Sequence, residues 1–73
     1  MQPIRPISEQ AKQLLIDTMT AQGVRPVDLA ARLGMSRQAV NRLIDLSHPT
    51  KIDAISDALA VLGKRLRIDI IDI

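Results

Sequence analysis

The sequence contains no cysteine, which excludes disulfides, zinc knuckles and thiol chemistry. Phenylalanine, tyrosine and tryptophan are also missing, so any core must be built from Leu, Ile, Val, Met and Ala. At 73 residues, an aliphatic core supplies limited stability, which favours burial against a second copy. No apolar run approaches the roughly 20 residues of a membrane span, and no signal-peptide pattern appears. A single cytoplasmic domain of bacterial type, without a membrane partner, is the expectation. Histidine occurs once, at His48, which reads first as a turn residue, with a phosphate contact or pH response as the other options. There is no Gly-rich phosphate cradle, and Ser47 and His48 are adjacent with no third group to orient them. Asp53 and Asp57 share a helix face, while Asp69 and Asp72 lie in the tail. Without His, Cys or Glu companions, these aspartates read as solvated charge or ion pairs. The reading is a non-enzyme with no metal and no cofactor.

The net charge is only +2, but its distribution is uneven. Between Arg25 and Lys51 lie five basic residues (Arg25, Arg32, Arg37, Arg42, Lys51) against Asp28 and Asp45. The rest of the chain is slightly acidic. The positive excess therefore sits where phosphate neutralisation would need it.

That segment is also the most strongly patterned. In PVDLAARLGMSRQAVNRLID, Leu29, Ala30 and Leu33 recur at helical spacing, and Pro26 suits a first helical turn. Gly34 stops this helix, and Met35 is expected to plug the corner. Ser36 is a good N-cap for a second helix whose inward positions are Ala39, Val40 and Leu43. Ala30 is small where the second helix passes over the first. This succession resembles the helix-turn-helix of phage repressors and Cro.

Before it, Met1 to Ile7 carries prolines at 3 and 6 and reads as a linker or extended lead-in, leaving 8–73 as the domain proper. Ser8 is expected to cap a helix through about Gln22, with Glu9 near its positive end. Its inner stripe would be Ala11, Leu14, Leu15, Thr18 and Met19, with Gly23 ending it. After the central pair, Leu46 to Pro49 form a loop. Thr50 is expected to cap a fourth helix, with Asp53 completing a capping-box pattern. Ile52, Ile55, Leu59 and Leu62 are its inner positions, and Gly63 closes it.

The tail changes period. Leu66, Ile68 and Ile70 alternate with Arg65, Arg67 and Asp69, which predicts a strand. A lone strand has no partner for its backbone groups, so the expectation is pairing with the same strand of a second subunit. A two-fold axis at Ile68 would set Arg67 opposite Asp69, Leu66 opposite Ile70 and Lys64 opposite Asp72. The phase slip at Ile70-Ile71 leaves a bulge or another register open.

On the second helix of the motif, Arg37, Gln38 and Asn41 share one face, with Arg42 at its border. Arg can donate two hydrogen bonds to guanine, and Gln or Asn can pair with adenine, so these four are the expected base contacts. Ser36, Arg32, Thr50 and Lys51 are the expected phosphate contacts. Capping alone would equally explain Ser36 and Thr50, and Arg32 is also readable as solvated surface. Lys51 opposes the dipole of the helix it precedes, which a nearby phosphate would relieve. Many repressors of this type carry Gln where this chain has Pro26, bridging phosphate and recognition helix. Without that bridge, Gln38 is held less firmly.

Beyond the motif, Asn41-Arg42-Leu43, Thr50-Lys51-Ile52-Asp53, Ala58-Leu59 and Leu62-Gly63-Lys64 resemble the C-terminal domain of HicB-type antitoxins, over about Ile7 to Ile71. The resemblance implies a domain that dimerises with help from a terminal strand and represses its own toxin–antitoxin operon. HicB antitoxins also carry an N-terminal domain that sequesters the messenger-RNA-cleaving HicA toxin, and nothing in this sequence corresponds to it. The chain is then expected to be a short variant or a domain beginning in the interdomain linker, meeting the toxin only through that upstream domain.

The combined expectation is a mainly α, four-helix, repressor-like domain with a C-terminal β-strand pairing across a homodimer, bound to double-stranded operator DNA. The competing reading is a protein-interaction module on the same scaffold without specific DNA binding.

Overall fold

The chain begins its first helix where proline leaves off. In the computed structural model, which describes residues 6–73, Pro6 is the N-cap of α1 (Ile7–Gln22), and its carbonyl accepts from the Glu9 and Gln10 amides at 3.0 and 3.1 Å. No side chain caps this end, so Ser8 lies inside the first turn instead of closing it. Of the lead-in expected over Met1 to Ile7, residues 1–5 lie outside the described residues, Pro6 is the N-cap and Ile7 already belongs to α1.

Three further helices follow: α2 (Pro26–Leu33), α3 (Arg37–Leu43) and α4 (Ile52–Val61). Gly23 and Gly34 end α1 and α2 at φ of 66° and 65°, the left-handed region that side chains with a Cβ adopt at a cost. At α2 the Asp28 carboxylate accepts from the backbone N–H of Arg25 at 3.0 Å and satisfies a donor the helix leaves open. At the start of α4 the N-cap is Lys51, without a side-chain bond. The Thr50 hydroxyl donates to the His48 carbonyl at 3.4 Å and does not cap the helix as expected.

α1 lies against α4, and α2 packs on both α3 and α4. The shared core is wholly aliphatic, with Leu15, Leu29, Val40, Ile55 and Ala58 fully enclosed. Gln22 ties the end of α1 to that of α4 by donating to the Leu62 carbonyl at 2.9 Å. The inner stripe of α1 differs from the expected one. Leu14 is 53% exposed, whereas Lys12 is 1% exposed and joins Ala11, Leu15 and Met19 on the buried side. Met35 is also largely on the surface; its amide, not its side chain, closes the α2–α3 turn by donating to Ala30 at 3.0 Å.

The domain is all-helical, and the C-terminal β-strand expected over Leu66, Arg67, Ile68, Asp69 and Ile70 does not form. Among the described residues there is no strand. Alternation decides which side chains share a face, but a strand also needs a ladder of partner amides and carbonyls. Four helices offer no such edge. The segment instead lies as an irregular tail along α1, where Leu66, Arg67, Ile68 and Asp69 line a groove with Ile7, Leu14 and Ile52. Leu66 packs on the core, and Arg67 pairs with Asp69 of the same tail at 3.0 Å instead of across an axis. Ile70 and Ile71 stand in solvent.

Candidate nucleic-acid interface

The short helix α3 is assembled from both ends. At its start the Ser36 Oγ accepts from the Ala39 amide at 3.1 Å, satisfying one of the donors that every helix leaves open. Val40 and Leu43 sink into the core and fix which side faces outward. That outer side carries Arg37, Gln38, Asn41 and Arg42, all exposed.

At its far end α3 is held by a residue of α1. The Lys12 ammonium donates to the carbonyls of Arg42 at 3.1 Å and Asp45 at 2.7 Å, and also to that of His48. Each of these carbonyls also accepts one donor from the turn itself, Arg42 from the Asp45 amide at 3.2 Å, Asp45 from the His48 amide at 3.1 Å and His48 from the Thr50 hydroxyl at 3.4 Å. The ammonium therefore takes a second bond at each, where a helix C-terminus favours a cation. Burial pulls the Lys12 pKa below the ordinary lysine value, and the Asp45 charge pushes back. The Asp45 carboxylate turns towards Ser47, accepting its amide at 2.9 Å and its hydroxyl at 2.7 Å. Those two bonds are the main reason its pKa lies below the ordinary carboxylate value of 3.8. Lys12 escaped the sequence reading because a lysine among apolar positions looks like a helix border. Its spacing of three to Leu15 and seven to Met19 was the available signal.

The loop delivers the chain to the start of α4. There Met35, Arg42, His48, Pro49, Thr50 and Lys51 line one shallow groove beside α3. Arg42 thus stands at the border between the helix face and this groove, and Thr50 and Lys51 are brought beside it. Arg32 is exposed on the last turn of α2 and lies outside the groove. His48 is used through its backbone, as a turn residue whose carbonyl accepts from both Lys12 and Thr50. The ion pairs seen among the described residues are Arg25–Asp28 at 3.1 Å and Arg67–Asp69. Neither draws on the cations of α3 or the groove. The surface is chemically suited to a polyanion with readable polar edges, and it gathers no group of side chains able to hold a metal among the described residues.

Fold and surface together define a small all-helical domain of four helices, in which α2 packs on α3 across the turn at Gly34 and α3 turns a polar face outward. Comparison with known proteins narrows the class. Over 63 residues, 86% of this chain, it is 44% identical to antitoxin HicB 2 of Photorhabdus laumondii and covers 45% of that protein. It is similar to antitoxin HicB of Escherichia coli strain K12, at 39% identity over 84% of this chain and 44% of the relative. Antitoxin HicB of Pseudomonas fluorescens is 38% identical over 89% of this chain and 44% of its own length. The chain spans less than half the length of the curated relatives it matches. No protein-family model matches it. No helix among the described residues is long and apolar enough to cross a membrane.

Proposed function

We propose that this chain is the DNA-binding part of a HicB-type antitoxin, acting as a homodimeric repressor at the operator of its own toxin–antitoxin operon. The observation that carries the reading is the division of α3. One side is enclosed by the core, and the other presents Arg37, Gln38, Asn41 and Arg42 to solvent. Those are side chains whose donors and acceptors match base edges in a major groove. In this reading Arg37 and Gln38 enter deepest, and Arg32, Ser36, Thr50 and Lys51 meet phosphates. Two copies would present two such helices to half-sites about one helical turn apart, or a multiple of it. The relatives' name implies a toxin as a further partner, and we assign its neutralisation to none of these residues.

Selection of bound sites from a random DNA pool tests the proposal. Recovery of a two-fold symmetric sequence is expected, and recovery of unordered sequences would overturn it. A protein-interaction module is the second reading, favoured by the exposure of Ile70 and Ile71 in the tail. A gel shift showing equal affinity for random and selected DNA would turn the case towards it.

A further inference from the structure

Lys12 is the one buried charged side chain among the described residues, and its bonds run to a part of the chain 30 to 36 residues away. α1 packs chiefly against α4, yet its lysine gathers the carbonyls of Arg42, Asp45 and His48 onto one ammonium. Arg42 belongs to the helix, Asp45 follows it, and His48 lies two residues before Thr50. The three acceptors therefore span the segment that connects the proposed base-reading face to the proposed phosphate groove. An ammonium has three donors and can serve all three carbonyls at once, which no neutral side chain of similar length can do. Hydrophobic packing of the stem would need no such convergence.

We propose that Lys12 is a positioning residue for DNA recognition, its ammonium setting α3 and the 44–51 loop in one fixed relation so that helix face and groove meet a duplex as one surface. The proposal rests on the DNA-binding reading above. Phosphate contacts fix the register in which base contacts can form, so loosening the loop relative to α3 lowers specific binding more than non-specific binding.

The absence of native cysteine allows a clean test. Lys12→Cys carries a single thiol. Alkylation of the unfolded chain with bromoethylamine restores a side chain of lysine length ending in an ammonium. Alkylation with iodopropane gives the same length without donors. Both forms are refolded, checked for native helicity and compared on selected and random DNA. The aminoethyl form is expected to match the native chain, and the propyl form to lose about tenfold in the ratio of specific to non-specific affinity, as for one mismatched base pair. Equal ratios for the two folded forms would overturn the proposal. A second arm needs no DNA: in the propyl form the amides of Ile44, Asp45 and His48 should exchange faster, with those of Leu15 and Ile55 unchanged. Unchanged exchange at the loop would overturn the positioning role even if operator binding holds. Failure to select any operator would sink the DNA reading and leave this arm to judge the fixing of the loop. If the propyl form does not fold, nitrogen NMR of the native chain decides. A slowly exchanging Lys12 ammonium signal is expected, and one that exchanges like those of Lys51 and Lys64 would refute the bond set.

Discussion

The Lys12 ammonium and the Asp45 carbonyl lie 2.7 Å apart, joining the first half of α1 to the residue that follows the C-cap of α3. The same aspartate grips the loop a second time, with its carboxylate on the amide and hydroxyl of Ser47. One residue thus holds the exit of α3 by main chain and side chain, in directions that depend on pH in different ways.

Acid is expected to loosen this arrangement and the start of α2. Asp45 and Asp28 both have pKa values below 3.8, Asp45 through its bonds from Ser47 and Asp28 through its bonds from Arg25. Where the folded value lies below the unfolded one, the unfolded chain binds more protons, and stability rises with pH across that interval. The contribution is whole above 3.8 and is lost as pH falls through the lowered folded values. Urea midpoints should be flat near neutrality and decline in acid. Asp45→Asn and Asp28→Asn should each make that decline shallower. A double variant with the native acid limb would contradict the assignment.

Gly34 allows a measurement of the α2–α3 turn alone. A Cβ at this position meets nothing within 4 Å, so space does not forbid a side chain. Its φ of 65° does the work. Gly34→Ala should cost about 1–2 kcal/mol in denaturant titration, the penalty for an L-residue in the left-handed region. Gly34→Asn should cost less, since Asn tolerates that conformation better. Equal and negligible losses would mean that the turn relaxes.

The α2–α3 pair and the turn between its helices are legible because their constraints are local. Gly34 and Ser36 act through their own backbone and the next turn, and Leu29, Val40 and Leu43 advertise their burial by spacing. What failed was non-local. Thr50 looked like a cap because a hydroxyl precedes Ile52, but the loop geometry turned it back to His48. The tail alternates as a strand does, yet alternation supplies no hydrogen-bond partner, and Arg67 found Asp69 within its own segment. Lys12 was hidden because its acceptors are main-chain carbonyls, which leave no trace in residue identity.

Removing one proposed reader and one proposed phosphate contact should give different signatures. Arg37→Ala should weaken binding to a selected site by about 1–3 kcal/mol and relax preference at one base position. Lys51→Ala should weaken selected and random DNA alike and lower the slope of log affinity against log salt by about one. Both follow from where the charges sit, Arg37 on the outer face of α3 and Lys51 in the groove beside it. Titrations at several salt concentrations check them together. Selectivity retained without Arg37 would remove it from the readers, and an unchanged slope without Lys51 would remove it from the phosphate contacts.

Ser36 has two candidate duties, and one substitution separates them. Its hydroxyl caps α3 on the Ala39 amide, a role that fold stability reads directly. Ser36→Ala should cost about 1 kcal/mol in urea unfolding. Ser36→Asp should preserve stability, because a carboxylate caps as well as a hydroxyl and is favoured at a helix N-terminus. On DNA the order should reverse. A carboxylate beside a phosphate repels it, so Ser36→Asp should lower affinity for selected and random DNA more than Ser36→Ala does, and the loss should shrink as salt screens the repulsion. If the aspartate variant binds DNA as the native chain does, Ser36 is a cap and nothing more.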